Sequence, residues 1–172
     1  MYFNKFPTVQ YTNVENGDPK RVTNLLKRIG VREPIKTNAS AFSKYIIKNA
    51  ETPESLAFDF YGDSKLHWII LSINDIYDRY HQWPMNTRQF FAFVNDKYED
   101  PNGTHHYEIT QASGDTTVKI NIGQDNSLHP TATIVTNYEY EEAEQDKKRQ
   151  INIIQPAQIG RFVSQFNLLM EK

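Results

Sequence analysis

The chemistry open to this 172-residue chain is bounded by a short set of side chains. There is no cysteine, so disulfides and thiolate zinc sites are excluded and a reducing cytoplasm is the expected place of synthesis. The five histidines are His67, His81, His105, His106 and His129. A zinc site needs several nitrogen, sulfur or carboxylate ligands converging on one point, and only His105 and His106 are close in sequence. Neighbouring side chains of a strand point to opposite faces, so these two are not expected to meet. Asp59 and Asp63 have the spacing of a carboxylate pair such as glycosidases use. Each has a local explanation: Asp59 as an exposed helix residue, Asp63 as a helix N-cap. No Gly-x-Ser-x-Gly elbow and no phosphate-cradling glycine loop occurs. Asn38-Ala39-Ser40 and Asn102-Gly103-Thr104 match the glycosylation sequon, but residues 1–7 lack the apolar core of a signal peptide. The residues therefore predict no catalytic centre, no metal and no cofactor, and they favour a binding or structural protein over an enzyme.

The elements that would position any site centre on residues 51–75. Thr52 suits a helix N-cap, Pro53 the first helical position and Glu54 the positive end of the helix dipole. Leu56, Ala57 and Phe60 form an apolar stripe, and Gly62 supplies a permissive stop. Asp63 then caps a second helix reaching Ile73, with Leu66, Ile69, Ile70 and Ile73 on its inner face and Asn74 as C-cap. Residues 41–48 (AFSKYIIK) read as a strand. Gln82-Trp83-Pro84-Met85 is the candidate closing strand, confined to an edge by Pro84. The result is a predicted βααβ unit.

Asn86 or Thr87 caps a third helix over 88–97, in which Phe90, Phe93 and Val94 share a face and Phe91 points elsewhere. Pro101-Asn102-Gly103 is a turn. Residues 106–111 and 116–122 predict a β-hairpin around Gly114-Asp115, and 132–135 a further short strand. Residues 138–149 carry acids first and bases last, which complements a helix dipole; so much charge also suits a solvated hairpin. Ile151, Ile153 and Ile154 read as a strand. Pro156 opens a last helix with Ile159, Phe162, Val163, Phe166, Leu169 and Met170 on one face. At the other end, Pro7, Pro19 and Asn16-Gly17-Asp18 keep residues 1–20 extended. Val22, Leu25, Leu26 and Ile29 have helical spacing with Gly30 as a stop, the alternative being a strand that continues the arm.

The formal charge of -2 shows no basic footprint for nucleic acid, and no apolar run is long enough to span a membrane. Only 38% of residues are hydrophobic, yet 13% are aromatic, a class favoured at protein interfaces.

Thr52-Pro53-Glu54-Ser55-Leu56-Ala57, Phe60-Tyr61-Gly62-Asp63, Trp68-Ile69 and Asn74 resemble a LysM module. Beyond it, the blocks YFNKFPTVQY, VTNLLKRI, the 52–86 block ending in Trp-Pro-Met-Asn, and TNYEYEEAEQDKKRQINIIQP resemble the baseplate wedge protein 53 family of T-even-like contractile-tailed bacteriophages. Residues 100–135 carry no recognised pattern. The resemblance implies a virion structural protein, made in the host cytoplasm and assembled in several copies around the tail axis. It would join neighbouring wedges around the central hub and contact the long helical wedge subunits and the sheath-initiator-like subunit. It implies no reaction and no cofactor, nucleic acid or membrane partner.

The expected fold class is α+β: a compact LysM-like βααβ module with an extended N-terminal arm, a β-hairpin insertion and a C-terminal amphipathic helix. The expected division is an arm over 1–38, the module and following helix over 39–98, and a β-rich segment with the last helix over 99–172. Expected interface residues are Tyr2, Phe3, Phe6 and Tyr11 on the arm, Tyr61, Tyr77, Tyr80 and Trp83 around the turn, and Phe162 and Phe166 on the last helix. Tyr61 and Trp83 serve equally well as core. The alternative function is binding of peptidoglycan or another N-acetylglucosamine polymer, as LysM modules commonly do.

Overall fold

Thr52 has an extended backbone, and its hydroxyl accepts from the Ser55 amide while Ser55 Oγ accepts from the Thr52 amide. This reciprocal pair starts α1 (Pro53–Tyr61) with Pro53 in its first turn. Gly62 ends it at φ 73°, donating its amide to Phe58 O, a conformation that favours glycine. Asp63 accepts from the Lys65 amide at 2.9 Å and caps a single 3-10 turn, Ser64–Leu66, which runs into α2 (His67–Ile73). The chain from Thr52 to Asn74 thus forms as its caps and turns dictate.

The computed structural model describes residues 6–12, 18–27 and 41–171. Tyr2, Phe3, the Asn16-Gly17 turn, Ile29, the stop at Gly30 and the sequon at Asn38 lie outside the described residues. The fold is mixed α+β and separates into two compact units. The first comprises 1–47, 51–83 and 150–172, and the second 48–50 and 84–149. Each unit draws on more than one stretch of the chain.

In the first unit, β1 (Thr8–Tyr11) and β2 (Lys20–Thr23) form an antiparallel hairpin, Thr8 opposite Thr23 and Tyr11 opposite Lys20. Val22 is therefore in a strand, and the chain turns at Leu25 and Leu26 instead of forming a helix there. β3 (Phe42–Ile46) pairs antiparallel with β7 (Gln150–Ile154), Phe42 opposite Ile154 and Ile46 opposite Gln150. The strand that closes the βααβ arrangement is thus β7, not residues 82–85. Asp78 Oδ1 accepts from the Tyr80 and His81 amides, so 79–82 coil into a one-turn helix, α3 (Arg79–Gln82), before Pro84. Ile47, Leu56, Ala57, Ile70, Trp83, Ile151 and Ile153 make the main core. Ile69, Ile73 and Ile154 make a second cluster, covered by Phe162 and Val163 of α6 (Pro156–Glu171). The ring of Trp68 lies 4.4 Å from that of Phe166 on α6. Leu169, expected on the inner face of α6, is exposed.

In the second unit, Asn86 and Gln89 form a reciprocal cap for α4 (Thr87–Lys97), which buries Phe90 and Val94 and leaves Phe91 half exposed. A three-stranded antiparallel sheet runs in the order β5 (Lys119–Asn121), β4 (Thr104–Thr110), β6 (Thr133–Thr136). Residues 137–149 are helical: α5 (Asn137–Arg149). The decision is local. Glu139 accepts from the Thr136 amide and hydroxyl while the Thr136 hydroxyl accepts from the Glu139 amide, a capping box that a hairpin would forfeit.

Candidate functional site

Two regions collect the side chains that could act: an exposed aromatic surface on the first unit and a buried polar cluster in the second. The first is built by α1 and α3. Arg79 Nη1 donates to Glu54 Oε1 at 2.6 Å and ties the two helices together. Tyr77 and Tyr80 flank that arginine at 84% and 88% exposure. Phe58, one turn from Glu54 on the same face of α1, is also exposed. The backbone beneath is fixed: Gln82 Oε1 accepts from the Tyr77 and Asp78 amides, and Asp78 Oδ2 pairs with His81 Nδ1 at 2.5 Å. The rings are thus held out into solvent by a locally hydrogen-bonded turn.

The remaining expected interface residues divide by burial. Tyr11 is exposed on β1. Phe6 and Phe166 are buried against each other with Met170, Trp68 packing on them. Trp83 is buried in the main core, its indole N–H donating to Glu51 O at 2.9 Å. All three are buried within the chain. Phe162, on α6, is half-buried against the cluster of Ile69, Ile73 and Ile154. Tyr61 is half-buried between both cores of the first unit, and burial pushes its phenol up to about 12, the neighbouring Ile154 backbone offsetting a little of the rise. Tyr45 donates to both Glu51 carboxylate oxygens at 2.8 and 3.0 Å; desolvation, then that carboxylate, pushes it up to about 12.

The second region is one that sequence reasoning missed. Register shifts between Thr104 and His106, so strict alternation fails there. His105 and His106 meet, Nδ1 to Nδ1 at 2.8 Å, instead of pointing apart. Tyr140 of α5 stacks on His105 with centroids 3.9 Å apart and planes 9° apart, and meets His106 edge-on. Next to it Glu141, 5% exposed, accepts from Lys97 Nζ at 2.6 Å and Tyr98 Oη at 2.8 Å. Burial pushes the Glu141 carboxyl up, but those two hydrogen bonds and the lysine charge outweigh it and hold the group below its ordinary range. The charge-ordered 138–149 segment and adjacent histidines were the visible signal; the bulge that joins them was not. No group of three metal-ligating side chains gathers among the described residues.

The sheet of this unit also has an apolar side. Ile120 stands opposite Ile109 and Ile134 opposite Tyr107, with Ile120 and Ile134 exposed. His106 and Glu108 point to the other face.

The match with known proteins runs through both regions: residues 1–169 match the family described as base plate wedge protein 53. The chain belongs to that family. It is 29% identical over 143 residues to baseplate wedge protein gp53 of Enterobacteria phage T4, covering 74% of this chain and 73% of the relative. Membership makes it a structural component of the phage tail baseplate, part of the virion, working in contact with other baseplate components. No helix among the described residues is long and apolar enough to cross a membrane. The match includes 100–135, where sequence blocks gave no resemblance.

Proposed function

We propose that this wedge protein joins neighbouring wedges around the central hub, and that the Phe58–Tyr77–Tyr80 surface is one of its contacts. The near-complete exposure of Tyr77 and Tyr80 on a rigid turn carries the reading. Tyrosine has few rotatable bonds, so on a backbone fixed by hydrogen bonds it loses little entropy on docking, and it is a common interface anchor. Partners in keeping with this role are the long helical wedge subunits and the sheath-initiator-like subunit. The β3–α1–α2–β7 arrangement supports a LysM-like module in the first unit, used here as a scaffold for protein contacts.

The test is the double variant Tyr77→Ser/Tyr80→Ser in a wedge-assembly assay. Exposed positions predict an unchanged melting temperature. Each ring lost from a docked anchor costs about 2 kcal/mol or more of association, so wedge joining should fail at concentrations where the wild type assembles. Normal joining by the variant overturns this surface. Saturable binding of chitin oligomers by the wild-type chain, lost in the variant, would assign the surface to sugar instead.

A further inference from the structure

We propose that His105 and His106 form an acid-sensitive latch that holds α5 on the three-stranded sheet, closed when the pair carries at most one proton beyond its neutral state and opened by the second. The geometry fixes the neutral state. His106 Nε2 lies 3.2 Å from Glu108 Oε1, and a lone pair there would face a carboxylate oxygen. His106 therefore carries its proton on Nε2 and presents the Nδ1 lone pair. His105 Nδ1, 2.8 Å away, must then be the N–H that donates to it. The two imidazoles are held in complementary tautomers, one shared proton between them.

One further proton fits, because the contact survives as long as one Nδ1 carries hydrogen and the other keeps its lone pair. A second does not fit. Both Nδ1 atoms would carry hydrogen across 2.8 Å, with two positive rings in contact and His106 only 6% exposed.

The charged and titratable groups around the pair do not relieve this. From β4, Glu108 faces His106 alone. From α5, Glu141 favours charge on His105, but Lys97 at the end of α4 opposes it and, with the Tyr98 hydroxyl, already occupies that carboxylate. Tyr140 contributes a ring face to His105 and an edge to His106. Desolvation first, then the neighbouring His106, holds His105 below the ordinary histidine value of 6.5.

The sign follows from proton counts. An unfolded chain takes up both protons as pH falls below about 6.5, whereas the closed latch takes one. Stability of the second unit is full above that pH. It falls below it, by about tenfold in the folded-to-open ratio per pH unit for one missing proton. Opening must separate the rings, and when they part His105 leaves the Tyr140 stack, the tighter of the two ring contacts that Tyr140 of α5 makes with β4.

The experiment uses the full chain. Imidazole nitrogen NMR at pH 7.5 should show His105 protonated at Nδ1 and His106 at Nε2. Between pH 7.5 and 5.0, amides of 104–108 and 137–141 should lose hydrogen-exchange protection while those of 42–46 and 150–154 keep theirs. His105→Phe retains a ring against Tyr140 but removes the nitrogen–nitrogen contact, and should remove about one proton from the pH dependence of that loss. Should that variant fail to fold, the wild-type titration still decides. Two rings that both protonate near 6.5 with protection unchanged, or two rings in the same tautomer at pH 7.5, would overturn the latch.

Discussion

At the scale of single residues, Tyr61 shows how one side chain can be legible in identity and illegible in role. Its place in Phe60-Tyr61-Gly62-Asp63 marks the turn between two helices, but the sequence allows it equally to be rim or core. The fold decides by placing its ring between the two apolar clusters of the first unit, with a buried hydroxyl that makes no hydrogen bond of ordinary geometry. A buried hydroxyl without a good partner costs about 1–3 kcal/mol. Tyr61→Phe should therefore leave stability at pH 7 unchanged or raise it by about 1 kcal/mol, as read from urea unfolding. The pH dependence adds a sign. A phenol raised to about 12 from 10.0 keeps its proton when the unfolded chain has lost it. The wild type therefore loses stability as pH rises from 10 toward 12, and the phenylalanine variant loses less. A loss above about 1 kcal/mol at pH 7 would mean that the hydroxyl is well bonded after all.

At the scale of elements, what was legible was what is local. Thr52, Gly62, Asp63 and Asn74 start and stop helices through groups two to four residues away, so their types announce their roles. The partner of β3 was not legible. β7 lies some hundred residues on, and a nearer candidate, Gln82–Met85, had a plausible composition; pairing is decided by packing of Ile151 and Ile153 into the core, which no local signal carries. The His105–His106 contact escaped for a related reason, since one register shift reverses the alternation on which face assignment rests. Asn74 connects the two kinds of information. It caps α2 from its own helix, Nδ2 donating to Ile70 O at 2.8 Å, and also docks β7, donating to Asn152 O at 2.9 Å and accepting from the Asn152 amide at 2.8 Å. It acts as an extra strand residue beside β7. Asn74→Ala leaves the amide and carbonyl of Asn152 without these partners, and should destabilise by about 2–4 kcal/mol. Asn74→Asp keeps the acceptor but turns an oxygen toward two carbonyls, so it should not rescue the loss. Full stability in the aspartate variant would show that the bond accepted from the Asn152 amide suffices and that neither Nδ2 contact, cap included, matters.

At the scale of the whole molecule, the two units differ in what holds them. The first buries many apolar side chains, among them Ile47, Leu56, Ile69, Ile70, Trp83 and Ile153. The second buries Phe90 and Val94 beside the polar His106, Glu141 and Gln145. Polar groups hold a core only while every partner is in place: Lys97 and Tyr98 on Glu141, and the Met85 amide on Gln145 at 3.0 Å. Apolar burial is the larger stabilising force per residue, so the second unit should open first. In hydrogen exchange at rising urea, amides of 104–110 and 137–149 should become exchangeable before those of 53–73 and 150–154, giving two steps instead of one. One cooperative transition across all these segments would show that the units stabilise each other as a single body. A separate, weaker second unit suits a baseplate subunit. Ile120 and Ile134 lie exposed on one face of its sheet, and a neighbouring subunit that covered them would add stability in proportion to binding. In assembled baseplates, therefore, protection in 104–110 should rise toward that of 53–73, while in the free chain the gap between them stays open.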